Sequence, residues 1–177
     1  MGLSVKQKGV VRGMVIGALT AVAIIAAGIL TNPFAYSSDL DLAARLTVAI
    51  KSCLLLAICL AISVGRLAKH RFVTPEDMDG SSAMQSTQRA KVLQSLLQNT
   101  LEQSVLAALV YLAWSIVLPA DWLSVVPMAA IGFLIGRLLF FAGYDKGAPS
   151  RAIGFALAFY PSLGMLLCVI SLGLYGA

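Results

Sequence analysis

Leu123 to Tyr144 reads LSVVPMAAIGFLIGRLLFFAGY, an apolar run broken by a single charge, Arg137. A helix needs about 20 such residues to cross the hydrocarbon core of a bilayer. Four further stretches meet the same test. They run from about Arg12 to Thr31, from about Ala43 to Arg66 around Lys51, from about Lys91 to Leu118 around Glu102, and from Arg151 to the C-terminus. Composition agrees with a membrane solvent. Of 177 residues, 59% are hydrophobic and 12% charged, about half the charged share of a soluble domain and too little to cover one. No strand-like alternation and no internal repeat is present. The expected fold is all-α, a multi-pass transmembrane helical bundle.

The connections follow from the breakers. Asn32-Pro33, Pro119 and Gly147-Ala148-Pro149 mark short turns, and Leu67 to Gln88, with Pro75, Asp79-Gly80 and Ser81-Ser82, reads as a long polar loop. Lys6, Lys8, Arg12, Arg66, Lys69, Arg71, Arg89, Lys91, Lys146 and Arg151 all flank one side of a five-span bundle, and by the positive-inside rule that side is cytoplasmic. The other side receives Asp39, Asp41, Asp121 and Arg45, with Trp114 and Trp122 expected as interfacial aromatics. The topology is N-terminus in, C-terminus out, in a membrane expected to be the inner (plasma) membrane of a bacterium. The net charge of +5 is thereby used at the membrane edge, and no nucleic-acid partner is expected. The first span is expected to be a retained helix rather than a signal peptide, because Gly13 to Leu30 exceeds a signal core and no good Ala-x-Ala site follows.

Ionisable groups at membrane depth need a partner or a task. Lys91, Ser95, Gln98, Asn99 and Glu102 recur at three- and four-residue steps, a polar stripe on the cytoplasmic half of the third span. Arg137, Phe140, Phe141 and Tyr144 share a face of the fourth. Arg151 opens the last helix behind Ser150 as N-cap. These groups are expected to point into one cytoplasm-facing cavity, rich in donors and suited to an anionic ligand with carboxylates. A structural role stands beside the ligand role, since polar stripes also join helices by hydrogen bonds. Counted from the span edges, Glu102 and Lys51 come to similar depths, so the two could form an ion pair.

Two motifs carry a resemblance. Leu97-Gln98-Asn99-Thr100-Leu101-Glu102 holds Asn-x-x-Glu, and Gly136 to Tyr144 followed by Arg151 keeps the order Arg-x6-Tyr-x6-Arg. Together they resemble the MAPEG family, membrane-associated proteins in eicosanoid and glutathione metabolism. The likeness covers residues 43–177 as a MAPEG-like four-helix membrane domain. Residues 1–42 would be an N-terminal cytoplasmic segment and one additional transmembrane helix. The resemblance implies a homotrimer that binds glutathione, as co-substrate, between subunits near the cytoplasmic face. It implies further that Asn99 and Glu102 hold the peptide's polar groups, that Arg137 and Tyr144 contact its backbone or carboxylates, and that Arg151 stabilises the thiolate as the catalytic residue. Three positions depart from the family pattern. Ser95 stands where an arginine is usual, Gln103 where a tyrosine is frequent, and Phe140 where a ligand-contacting tyrosine often lies. Lys91, one turn before Ser95, is the candidate to replace the missing cation.

The function so implied is a membrane-embedded glutathione-dependent transferase or peroxidase acting on lipophilic electrophiles at the cytoplasmic face. The alternative is a non-catalytic lipid- or partner-binding MAPEG-like membrane protein. A carrier is disfavoured, as no broken helices or paired repeats occur. Cys53, Cys59 and Cys168 have no metal-like spacing and are expected to be reduced residues facing lipid or core. His70 is expected to be solvated in a basic loop, as are Glu76, Asp77 and Asp79. Gly132 and Gly136 are expected to bring helices close rather than to bind phosphate.

Overall fold

Each long helix starts and stops where local chemistry dictates. α1 (Val5–Thr31) opens on a capping box, in which the Gln7 backbone N–H donates to the Ser4 hydroxyl and the Ser4 N–H to the Gln7 side chain. It closes at Asn32, left-handed at φ 37° before Pro33. α2 (Leu42–Val73) is capped by Asp41, which accepts from the Ala44 N–H at 2.7 Å. The one-turn α3 (Pro75–Met78) leads towards α4 (Gln88–Val117), capped by Thr87. α4 stops before Pro119, as the residue preceding a proline is pushed out of helical geometry. α5 (Val125–Gly143) and α6 (Ala148–Tyr175) complete the chain.

The computed structural model describes residues 2–79 and 86–175, and among these there is helix and no strand. Among the described residues, five helices are long and apolar enough to cross a membrane. The protein is an all-helical, multi-pass membrane protein.

α1 packs along α6, α6 along α5, and α2 along α4 and α5, with α4 also touching α6. Gly136 and Gly132 divide the work of close approach. A Cβ at Gly136 would lie 2.9 Å from backbone atoms of Gly154 and Ala158 on α6, while one at Gly132 would meet Ile24 of α1 at 3.1 Å. The main core gathers Trp114, Tyr111, Phe133, Leu118, Leu123 and Met165. A smaller one, Leu67, Leu93, Leu96 and Phe140, fills the end that carries the basic residues.

Several expectations need correction. α2 does not end at Arg66 but continues to Val73, and the supposed loop contains α3. Leaving the bilayer does not break a helix; Pro75 does. The turn residues Gly80, Ser81 and Ser82 lie outside the described residues. Ser150 is no N-cap, because the turn falls earlier, at Gly147 with φ 96°, and α6 begins at Ala148 with Pro149 in its tolerant first turn. Trp114 is not an interfacial anchor. It is fully buried and its indole N–H donates to the Trp122 carbonyl at 3.1 Å. Asp77 is buried rather than solvated. It accepts from the Thr87 N–H at 2.9 Å and the Thr87 hydroxyl at 2.6 Å, with His70 Nε2 at 2.9 Å.

Candidate functional site

Arg137 anchors the basic half of the bundle. It is 0% exposed, an extreme burial for a guanidinium. Its Nη1 donates to Asn99 Oδ1 of α4 at 3.0 Å, and its carbon centre lies 4.2 Å from the Phe140 ring and 5.8 Å from the Phe141 ring. The rings take charge on their faces and so lower the cost of burial. Nε and Nη2 have no hydrogen-bond partner among the described residues. Unsatisfied buried donors are costly, by about 1–3 kcal/mol each and more when charged.

Contacts continue from there towards α6. Phe140 meets the Tyr144 ring edge-on at 5.4 Å, and the Arg151 guanidinium stands 4.6 Å above that same Tyr144 ring. Asn99, Arg137, Tyr144 and Arg151, from three different helices or their ends, thus form one string of side chains bridged by Phe140. The sequence logic behind it is simple. Residues 137, 140, 141 and 144 recur on one face of a helix, and the short turn at Gly147 brings Arg151 back against them.

Lys91 and Glu102 lie elsewhere. Both are exposed on the outward face of α4, on the stripe with Ser95 and Gln98. Glu102 accepts from Gln98 Nε2 at 2.9 Å, and the Ser95 hydroxyl donates to the Lys91 carbonyl at 3.0 Å. Within one chain, then, the expected single cavity is two groups, an inward string around Arg137 and an outward stripe on α4. In a bilayer the outward stripe would meet acyl chains unless another surface covers it, and a carboxylate there is costly.

The Lys51–Glu102 pair does not form; among the described residues the ion pairs are His70–Asp77 and Arg89–Asp145. Ser63 meets Thr100, and Arg45 donates to the Leu118 carbonyl, which fixes the antiparallel register of α2 on α4. Glu102 is therefore level with Ala61 and Lys51 with Leu112, about ten residues or ~15 Å apart along the helices. Lys51 instead lines a cavity of about 490 Å³ towards the opposite end, with Phe34, Tyr36 and Ser52.

Three further residues take places other than the sequence suggested, His70 above all, which was expected to be solvated. Arg66 lies 5.4 Å from the Phe141 ring, so a second cation approaches the ring that Arg137 also reaches. Gln103 is buried with both side-chain amide atoms unpartnered among the described residues. In the sequence its position stands out only as a departure from the family's tyrosine, and the signal was a glutamine one turn beyond Asn99 and Thr100 on the same helix face. His70 is half-buried in the last turn of α2, held to Asp77 and Thr87. Hydrogen bonds from the Thr87 hydroxyl and N–H, joined by His70, hold the Asp77 carboxyl below its ordinary pKa.

The model of the MAPEG family matches residues 46–171. No curated protein and no solved structure matches the chain.

Proposed function

Because the chain belongs to the MAPEG family, whose members are membrane proteins of glutathione and eicosanoid metabolism, we propose that it is a membrane-embedded glutathione-dependent transferase or peroxidase acting on lipophilic electrophiles at the cytoplasmic face. The observation that carries this reading is the buried Arg137, whose Nε and Nη2 are left without partners. Two adjacent guanidinium donors match a carboxylate or peptide oxygen, and glutathione offers both. Residues 43–177 are read as the four-helix domain of the family, and residues 1–42 as a cytoplasmic segment and an added helix. The basic end faces the cytoplasm of a bacterial inner membrane, with the C-terminus outside. The outward stripe of Lys91, Ser95, Gln98 and Glu102 supports a homotrimer, since a neighbouring copy would cover these groups and bring them to its own Arg137–Arg151 string.

In that arrangement Asn99 fixes the Arg137 guanidinium, Arg137 and Tyr144 orient the peptide, and Glu102 and Lys91 from the adjoining subunit complete its polar contacts. Glutathione supplies a thiol whose anion is the nucleophile. Arg151 holds that anion, aided by the positive end of α6, in whose first turn it lies. An unperturbed thiol has a pKa of ~8.5, so ionising it at neutral pH needs a shift of about 1.5 units, or ~2 kcal/mol. One charge at ion-pair distance and an effective dielectric of ~20 contributes about 4 kcal/mol before desolvation. A single arginine is sufficient in magnitude, and no general base is required.

A second reading, a non-catalytic lipid- or partner-binding protein, is favoured by one observation. The Ser95 hydroxyl is turned back on the Lys91 carbonyl and supplies no cation. Equilibrium binding of glutathione to the detergent-purified protein separates the two. The wild type is expected to bind, and Arg137→Met to bind roughly tenfold or more weakly, as a hydrogen bond to a charged group contributes about 1.5–3 kcal/mol. A wild type that binds no glutathione sinks the enzyme reading.

A further inference from the structure

α1 lies outside the residues the family model matches, yet it packs along α6, the helix that carries Arg151. Its seam is made of glycine. Gly9, Gly13 and Gly17, at four-residue steps, face Pro149, Ala152 and Ala156. A Cβ at Gly13 would fall 2.9 Å from the Ala152 Cβ and 3.0 Å from the Ile153 backbone nitrogen, and one at Gly17 would crowd Ala156 still more. The two backbones approach closely through these small residues, so nothing as thick as an acyl chain lies between them here. Further along, Ile25 of α1 abuts Gly164.

Beside this seam the helices part. Arg151, Phe155 and Phe159 recur at four-residue steps on α6, Val10 and Met14 do so on α1, and with Phe140 they line a cavity of about 260 Å³. That is just below the usual range of ligand sites, about 300 to 1,000 Å³. Its walls are flat. Phe155 and Phe159 stack at 5.5 Å with planes 29° apart, and Phe140 lies 6.4 Å from Phe155. Aromatic faces favour another ring in offset or edge geometry, and Arg151 offers a cation to an electron-withdrawing group on it.

We propose that α1 is the selectivity wall of the lipophilic-substrate pocket: with α6 and Phe140 it frames Arg151 in a compact, partly open aromatic cavity that favours small aryl electrophiles over long-chain ones. Val10 and Met14 are the specificity-determining residues. The inference rests on the glutathione reading for its chemistry. With an activated aryl halide, a carbon–sulfur bond forms to the ring, the carbon–halogen bond breaks with its electron pair leaving on halide, and the thiol proton passes to water.

The test uses the full chain in detergent or nanodiscs, with 1-chloro-2,4-dinitrobenzene as the compact electrophile and a long-chain 2-alkenal as the extended one. Met14 is part-exposed, so Met14→Trp fills the cavity without burying a misfit in the core. It is expected to raise KM for the aryl halide about tenfold, the scale of a pocket misfit, with kcat and glutathione affinity unchanged. Met14→Ala, which opens the wall, is expected to shift the kcat/KM ratio towards the alkenal. If both variants bind glutathione and keep the wild-type ratio, the wall is refuted and the glutathione reading stands. If the wild type binds no glutathione, that reading falls, and equilibrium binding of 1,3-dinitrobenzene decides the wall alone. Weakening by Met14→Trp supports it, and equal binding overturns it.

Discussion

The two halves of the bundle treat their buried polar groups differently. Near the end that bears Asp39, Asp41 and Asp121, the Trp114 indole is satisfied by the Trp122 carbonyl, and the Ser124 hydroxyl donates to Asn32 Oδ1 at 2.6 Å. Asn32 also binds both the N–H and the carbonyl of Tyr36. In the basic half, Arg137 keeps two nitrogens unpartnered among the described residues and Gln103 its whole amide. Buried polar groups are normally paired; at the first end Arg45 Nε also lacks a partner among the described residues, but the same guanidinium donates to the Leu118 carbonyl, so the first half reads as structure and the second as a site. The same side-chain chemistry does two jobs, and the concentration of unpartnered atoms on Arg137 and Gln103, against single ones on Arg45 and Ser104, tells them apart.

The sharpest way to break this contrast is to remove the largest structural side chain. Trp114→Ala leaves a cavity in the main core and strands the Trp122 carbonyl. Large-to-small changes of this kind cost about 3–5 kcal/mol. In lipid the transfer part shrinks, because acyl chains are as apolar as the interior, so the lower figure of ~3 kcal/mol is expected. Thermal unfolding in detergent reads the loss. Glutathione affinity of the folded fraction should not change; a large drop there would mean the two halves are not separable.

Arg151→Ala is expected to do the reverse. The fold should persist, since Arg151 is only half-buried and makes no ion pair among the described residues. The bound thiol should revert by about 1.5 pKa units, ~2 kcal/mol. Ultraviolet absorbance of the thiolate, titrated in wild type and variant, measures it. An unchanged signal with unchanged turnover would reduce Arg151 to a membrane-edge anchor.

Much of this was legible in the sequence, for physical reasons that also mark where it stopped. An apolar run of helical span length has few alternatives to crossing a bilayer, so the five spans could be read directly. The Arg137-to-Tyr144 spacing is two helical turns, so their shared face could be read as well. The inward turn of Trp114 could not. A helix that is apolar all round carries no mark of which face meets lipid and which meets protein. Nor could the depth of Lys51 and Glu102, which was counted from edges assumed to lie ~30 Å apart. The register makes Lys91 level with Phe72, so the stretch of α2 between the two edges, Ala43 and Phe72, is roughly 44 Å long. Asp77 was unreadable because its partner Thr87 is brought to it by the backbone path rather than by helical spacing.

Asp77 gives a smaller and pH-dependent effect. Its folded pKa is depressed, chiefly by the Thr87 hydroxyl and then by the Thr87 N–H. The unfolded chain therefore binds more protons over the interval between the two pKa values, and stability rises with pH there. The contribution is fully present above the ordinary carboxylate value of ~3.9 and is lost as pH falls through the folded value. Asp77→Asn should be less stable than wild type at neutral pH, and the gap in melting temperature should narrow as pH falls below the ordinary carboxylate value. A gap that is the same at both extremes would show that shape, not charge, holds the latch to α4.

The smallest expected effect is a null that nonetheless decides between two pictures of the membrane interior. If Lys51 and Glu102 were partners, removing one would strand the other, at a cost of about 3–5 kcal/mol, and the double variant would recover it. The register separates them by ~15 Å along the helix axes, more than the two side chains can bridge. Rotation about an axis along the membrane normal preserves depth, so a neighbouring copy in a cyclic trimer cannot bring them together either. Lys51→Met and Glu102→Gln should therefore be additive in thermal stability to within about 0.3–0.5 kcal/mol, as for sites without shared contacts. Each single change should act on its own half. Glu102→Gln is expected to weaken glutathione binding and leave the fold intact, whereas Lys51→Met should leave binding unchanged. A coupling energy above ~1 kcal/mol would require the two helices to slide relative to one another, and the Ser63–Thr100 and Arg45–Leu118 contacts that set their register would then be wrong.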